Sequence, residues 1–230
     1  EGRAAMLAVI ISFIIYLGFN VGGLKETADR HSSKAVYGGH EIIVEKEFPT
    51  VKFVLAKKDG KYLVYENAFL TSVINDPVFG DAAKLAKPGT VLVINGGIAG
   101  MAAELLKNPA ITGITCVEED RFSSHVLMKV FGEGLKGAKK VAFPETGLKR
   151  FLASNRESYD TVFINYRPAT AGLFSAATLK LISDRAAASG ARIVINAGAE
   201  KEKAFKAALK SFGNAAEASG LIVSEKQAAK

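Results

Sequence analysis

The sequence predicts an α/β protein: a doubly wound, mostly parallel sheet, preceded by a small N-terminal β-hairpin unit and an N-terminal apolar helix. Three observations predict it. From Thr90 onward, short apolar runs alternate with amphipathic segments in the order strand, helix, strand. Parallel strands need long crossover connections, and helices usually supply them, so this alternation means a parallel sheet covered on both faces. Residues 41–67 hold short β-rich runs on either side of Asp59-Gly60, a dipeptide that turns hairpins. Residues 4–24 form an apolar run without charge.

The length of 230 residues suits one larger α/β domain, or one of about 150 residues with additions. Apolar residues make up 49% and charged residues 23%, which excludes a disordered or collagen-like chain. A single cysteine, Cys116, excludes a disulfide framework and a multi-cysteine metal site. Three histidines argue against a histidine-rich metal centre, and His31 and His40 lack metal-ligand spacing. The net charge of +7 permits an acidic partner without requiring one. Lys201, Lys203, Lys206 and Lys210 are spread along one helical segment as on a solvated face, so no nucleic-acid partner is expected. Glu1 rather than Met opens the chain, as expected of a processed or N-terminally incomplete protein.

The run from Ala4 to Leu24 has 21 residues. As a helix it would reach about 31 Å, the thickness of a hydrocarbon core. It is apolar on nearly every side, where a surface helix carries a polar stripe. Residues 1–24 are therefore expected to form a transmembrane or filament-core helix, with a buried core helix or an uncleaved signal peptide as alternatives. Residues 25–40 read as a polar tether. Lys25, Arg30 and Lys34 follow the run and only Arg3 precedes it, which leans towards a single-pass membrane protein with its globular part in the cytoplasm.

Residues 41–87 read as a small β domain and linker, with about three strands built around VKFVLA and KYLVYE. Lys87-Pro88-Gly89 breaks the chain before the larger domain, residues 88–230. Its strands are expected at 90–95, 111–119, 139–143, 159–165, 191–198 and 220–225. Helices are expected at 101–108, 121–135, 146–154, 172–189 and 201–213.

The chemistry-bearing stretch joins the first strand to the first helix of that domain. Asn95-Gly96-Gly97-Ile98-Ala99-Gly100 is a glycine-rich turn after a buried strand, where backbone can approach a ligand closely. Glu118 lies 22 residues after Gly96, at the end of the second strand, where a carboxylate can accept hydrogen bonds from ribose hydroxyls. The alternative is that the glycines serve only tight helix–sheet packing.

At these residues the chain resembles a known family. VLVINGGIAGMAAELLKNPAITGITCVEED, residues 91–120, is similar to the signature of spermidine synthases (aminopropyltransferases). That signature has a GGGDGG turn, a helix ending Lys-His-Pro and a strand ending Val-Glu-x-Asp. YDTVFIN at 159–165 resembles the family's Tyr-Asp-x-Ile-x-x-Asp strand, residues 41–67 match its N-terminal strands and GLIVSEK its closing strand. The likeness covers residues 37–226 and implies a methyltransferase-type Rossmann fold. It implies a ribose contact at Glu118 and an adenine contact near Glu145.

The departures bear on function. Ile98 stands where the family turn has an aspartate, and Asn95 and Ala99 replace two glycines. Asn165 takes the place of the family's catalytic aspartate, and an amide cannot act as a general base. The gatekeeping loop is replaced by Tyr166–Gly172, which has no acid and contains Arg167. These departures imply a degenerate active site with no catalytic residue, a vestigial binding set of Gly96, Gly97, Gly100 and Glu118, no metal and no cofactor. Ile98 is expected to close the pocket or turn to the sheet, leaving little affinity for S-adenosyl compounds. Cys116 and His125 are expected as packed or solvated residues without chemistry.

The function expected on these grounds is a membrane-anchored structural or accessory subunit, partnered by the membrane and by other protein subunits. One alternative is a divergent S-adenosyl-nucleoside-dependent transferase, moving a methyl or an aminopropyl group with the help of Glu118. A second is a pilin-like filament subunit.

Overall fold

In the computed structural model of the protein, residues 36–49, 51–119, 121–135, 138, 140–165, 175–212 and 214–226 are described. The apolar run 4–24 and residues 166–174 lie outside them. Among the described residues no helix is long and apolar enough to cross a membrane.

The chain first forms a four-stranded antiparallel sheet in the order β1-β2-β3-β4, from Glu41–Glu47, Lys52–Lys58, Lys61–Glu66 and Phe69–Val73. Between β2 and β3, Asp59 and Gly60 have φ of 49° and 76°, as a primed hairpin turn requires. The sequence predicts about three strands here. The fourth follows a second left-handed turn at Asn67 and Ala68, with φ of 50° and 68°. Alanine in that region costs about 1–2 kcal/mol, so Ala68 carries no turn signal. The Asn67 side chain offsets this locally by accepting the Lys52 N–H at 2.9 Å.

The expected linker contains a helix, α1, at Pro77–Lys84. Asp76 caps it by accepting the Val78 N–H at 2.9 Å, and Pro77 occupies the first turn, where its missing N–H costs nothing.

The second sheet has seven strands: β5 (Gly89–Ile94), β6 (Ile111–Val117), β7 (Val141–Ala142), β8 (Tyr159–Asn165), β9 (Ala187–Asn196), β10 (Ala216–Ala218) and β11 (Leu221–Glu225). Their order is β10-β11-β9-β8-β5-β6-β7. Strands β5 to β9 pair in parallel, and β11 and β10 close one edge antiparallel. The chain winds outward from β5 through β6 to β7, then returns to β8 on the other side. The order therefore reverses between β5 and β8, and a ligand crevice belongs at their carboxyl ends.

The helices are α2 (Ala102–Leu106), α3 (Arg121–Phe131), α4 (Leu148–Ser154), α5 (Ala176–Ala186) and α6 (Lys201–Phe212). Helix α5 ends earlier than the expected 189. The chain passes directly from Ala186 into β9, and Gly190 sits within that strand, where the register against β8 shifts. Gly190 thus marks an irregular strand rather than a helix end. Strand β10 has no apolar run to announce it.

Alternate residues of each central strand face opposite sides of the sheet. Leu92, Ile94, Val162, Ile164, Ile193 and Ile195 meet α4, α5 and α6 through Leu152, Leu179, Ile182 and Ala204. Val91, Val93, Phe163 and Val194 meet Phe79, Leu105 and Leu127 on the other side, together with Phe53, Leu55 and Val64 of the small sheet. The two sheets thus share a core. Full burial of each such aliphatic or aromatic side chain is worth about 1.5–3 kcal/mol.

Candidate active site

The turn after β5 is shaped by close approach. Asn95 and Gly96 are both left-handed, with φ of 61° and 81°. A Cβ on Gly96 would lie 2.6 Å from Asn165 Nδ2, and one on Gly97 would lie 2.7 Å from the Cys116 Cβ and Sγ. Gly100, at φ 142°, has the Asn75 and Phe79 side chains 3.1 Å from such a Cβ. All three glycines are therefore explained by packing, against β8, β6 and the start of α1. Packing also sets up the chemistry. The Gly96 N–H donates to Glu118 Oε2 at 3.2 Å, which the shielded surroundings of this buried carboxylate strengthen.

Asn95 ties three strand ends together. Its Oδ1 accepts the Glu119 N–H at 2.9 Å after β6, and its Nδ2 donates to the Asn165 carbonyl at 3.3 Å at the end of β8. Asparagine tolerates the left-handed region, so it can stand where the similar family has glycine while adding these bonds.

A cleft of about 380 Å³ opens beside the turn, within the usual range for small-molecule sites. Glu118 and Glu145 are its acids, Ile98, Met128 and Phe143 line it with apolar surface, and His125 is also on its wall. Ile98 is only 4% exposed and forms part of the wall. Of the two outcomes expected of Ile98, closing the pocket or turning to the sheet, its burial fits the second, and the cleft stays open. Its branched side chain packs into the core shared with Cys116 and Val126 and leaves the space above it. Burial and the neighbouring Glu118 push the Cys116 thiol well above its ordinary pKa. It is therefore a protonated core residue, as the sequence suggests.

A second cleft, of about 400 Å³, lies on the other side of Gly96, between the small sheet and the ends of β8 and β9. Asn165 lines it, and Asn165 Oδ1 accepts Asn196 Nδ2 at 2.7 Å. Ser72, Asp76 and Asn196 share this cleft. Sequence reasoning missed all three. The Asp76-Pro77 helix start was a usable signal for one of them. Among the described residues no group of three or more His, Cys, Asp or Glu side chains could hold a metal.

No protein-family model matches the chain. The chain is 26% identical over 137 residues to the polyamine aminopropyltransferase of Prochlorococcus marinus subsp. pastoris, covering 54% of this chain and 48% of that protein. It is 36% identical over 75 residues to the polyamine aminopropyltransferase of Agathobacter rectalis, covering 31% of this chain and 26% of that one. The match thus spans half or less of each curated relative. The fold superposes on the crystal structure of spermidine synthase from Thermotoga maritima with a TM-score of 0.66 and 15% identity, over 82% of this chain and 74% of that one. The chain is spermidine-synthase-like. A second spermidine synthase structure, in complex with the transition state analogue AdoDATO, superposes with a TM-score of 0.64 and 14% identity over 82% of this chain and 73% of that one.

These findings correct the expected function of the spermidine-synthase-like chain. A membrane-anchored, catalytically degenerate accessory subunit is overturned in favour of the enzyme alternative, because the sequence relatives are named aminopropyltransferases. Both membrane and filament readings rested on residues 4–24, which lie outside the described residues, and no described helix could cross a bilayer.

Proposed function

We propose that the protein is an S-adenosyl-nucleoside-dependent transferase, which moves an aminopropyl or a methyl group from a sulfonium donor to an acceptor. The observation that carries this reading is the placement of Glu118. It sits at the carboxyl end of β6, bonded to the Gly96 N–H, on the wall of an open cleft that also holds Glu145. A carboxylate has about four acceptor sites and can take ribose hydroxyls besides the backbone donor. The apolar surface of Ile98, Met128 and Phe143 suits a purine face. Two acids in one cleft favour the approach of a cationic sulfonium.

In the transfer, the acceptor's lone pair attacks the carbon attached to sulfur. The carbon–sulfur bond breaks and its electron pair stays on sulfur, giving a neutral thioether. The acceptor then sheds a proton. Asn165 cannot take it, so the proton passes to water, and the chain contributes chiefly by holding the two reactants in line.

The test is calorimetry with 5′-methylthioadenosine, the neutral thioether left after aminopropyl transfer. Binding is expected, weakened about 10-fold or more by Glu118→Ala, since hydrogen bonds to a charged group are worth about 1.5–3 kcal/mol. No heat and no melting shift at millimolar ligand would overturn the reading.

A further inference from the structure

We infer that Asp76 holds the alkylammonium group of a reactant in the second cleft, in addition to capping α1. The inference rests on the transferase reading above and names a binding residue for that reaction.

Asp76 lines the cleft beside Val73, Val78 and Phe79. Its Oδ1 accepts the Val78 N–H at 2.9 Å. Its Oδ2 has no partner among the described residues and is not sealed from solvent. A cap needs one oxygen only, and asparagine or serine would supply it as well as aspartate does. The second oxygen and the negative charge are therefore left over from the structural task. A carboxylate with apolar surface around it suits a cation carried on a hydrocarbon chain, because the chain covers Val73 and Phe79 while the charges meet across a partly dehydrated gap.

The position of Asp76 is fixed relative to the glycine turn. Asn75, which precedes it, is left-handed at φ 57° and donates its N–H to the Ala99 carbonyl at 2.7 Å. A Cβ on Gly100 would lie 3.2 Å from the Asn75 Cα, so the two backbones touch. The cleft itself opens at the ends of β8 and β9, next to the reversal of strand order where a ligand crevice belongs. An ammonium held at Asp76 is thus held at a set distance from the turn, which is what transfer between two reactants requires. That ammonium can belong to the acceptor or to an aminopropyl chain on the sulfonium donor.

The test is calorimetry on the full chain with 1,4-diaminobutane and, separately, with decarboxylated S-adenosylmethionine, using the unaltered protein and Asp76→Asn. Asparagine keeps the cap, so the melting curve should stay in place. A shift in melting moves the comparison to Asp76→Ser, a second capping residue without charge. Asp76→Asn is expected to weaken at least one of the two ligands about tenfold or more. It should also flatten the salt dependence of that binding, which a purely structural role would not do. Loss confined to 1,4-diaminobutane assigns the ammonium to the acceptor, and loss confined to the sulfonium compound assigns it to the donor. Equal affinities in Asp76→Asn and the unaltered chain, or binding of neither ligand to the unaltered chain, overturn the inference. 5′-Methylthioadenosine carries no ammonium, and its affinity should not change. If it binds while the charge at Asp76 makes no difference, this inference falls and the transferase reading stands. If it fails to bind, the transferase reading falls, while the 1,4-diaminobutane titration still decides whether Asp76 holds an ammonium.

Discussion

Asn95 Oδ1 accepts the Glu119 backbone N–H at 2.9 Å, across the gap between the ends of β5 and β6. This bond holds the residue that follows Glu118, so it fixes the direction in which the carboxylate leaves the strand. Asn95 is fully buried, and its other amide group reaches the Asn165 carbonyl. A single side chain thus links the ends of three strands at the point where the sheet order reverses.

Replacing Asn95 separates its two tasks. Asn95→Gly keeps the left-handed backbone and loses both bonds, at an expected cost of about 1–3 kcal/mol for the buried groups left behind. Asn95→Ala loses the same bonds and adds about 1 kcal/mol of backbone strain. Urea denaturation should therefore rank Asn95→Ala below Asn95→Gly. Equal stability of the two variants would show that the turn relaxes.

Gly97 should be intolerant of a methyl group. A Cβ there would stand 2.7 Å from both Cβ and Sγ of Cys116, and neither the turn nor a central strand can retreat cheaply. Gly97→Ala is expected to cost about 1–3 kcal/mol through overpacking. The same change made on a Cys116→Gly background should cost clearly less. Additive effects in that double-mutant cycle would place the strain elsewhere.

The rate should climb with pH. A protonated amine has no lone pair, and Asn165 offers no base to free one. With a primary amine as acceptor and a saturating sulfonium donor, the rate below saturation in amine should rise about tenfold per pH unit towards the amine's own pKa, near 10.4 for an alkylammonium. Asn165→Asp should lift the neutral-pH rate relative to the alkaline rate, because a carboxylate can accept the proton. A plateau reached by pH 7 in the unaltered chain would reveal a base in some other residue.

In the proposed reaction, binding at the cleft beside Glu118 depends on that carboxylate. Loss of at least about tenfold in 5′-methylthioadenosine affinity in Glu118→Ala is the expected result. An unchanged affinity would mean that the ligand is held by the apolar wall alone.

The α/β class, the parallel strands and the position of Glu118 were legible in the amino-acid sequence. Strands buried on both faces read as unbroken apolar runs, as in Val91–Ile94 and Val162–Ile164, and the acid that ends such a run stands out. The Asp59-Gly60 hairpin was legible because its backbone demands are met by those residues alone. The second turn, at Asn67 and Ala68, was hidden because neighbouring structure holds an alanine in a conformation it disfavours. Whether Ile98 would seal the cleft beside Glu118 could not be read from its identity, since that depends on where the core around Cys116 and Val126 lets its side chain pack. The second cleft belongs wholly to tertiary structure. Ser72 and Asn165 are 93 positions apart in the chain, and Asn196 lies 31 beyond Asn165. Local pattern cannot reveal their meeting, because it is produced by the docking of the small sheet and α1 over the ends of β8 and β9.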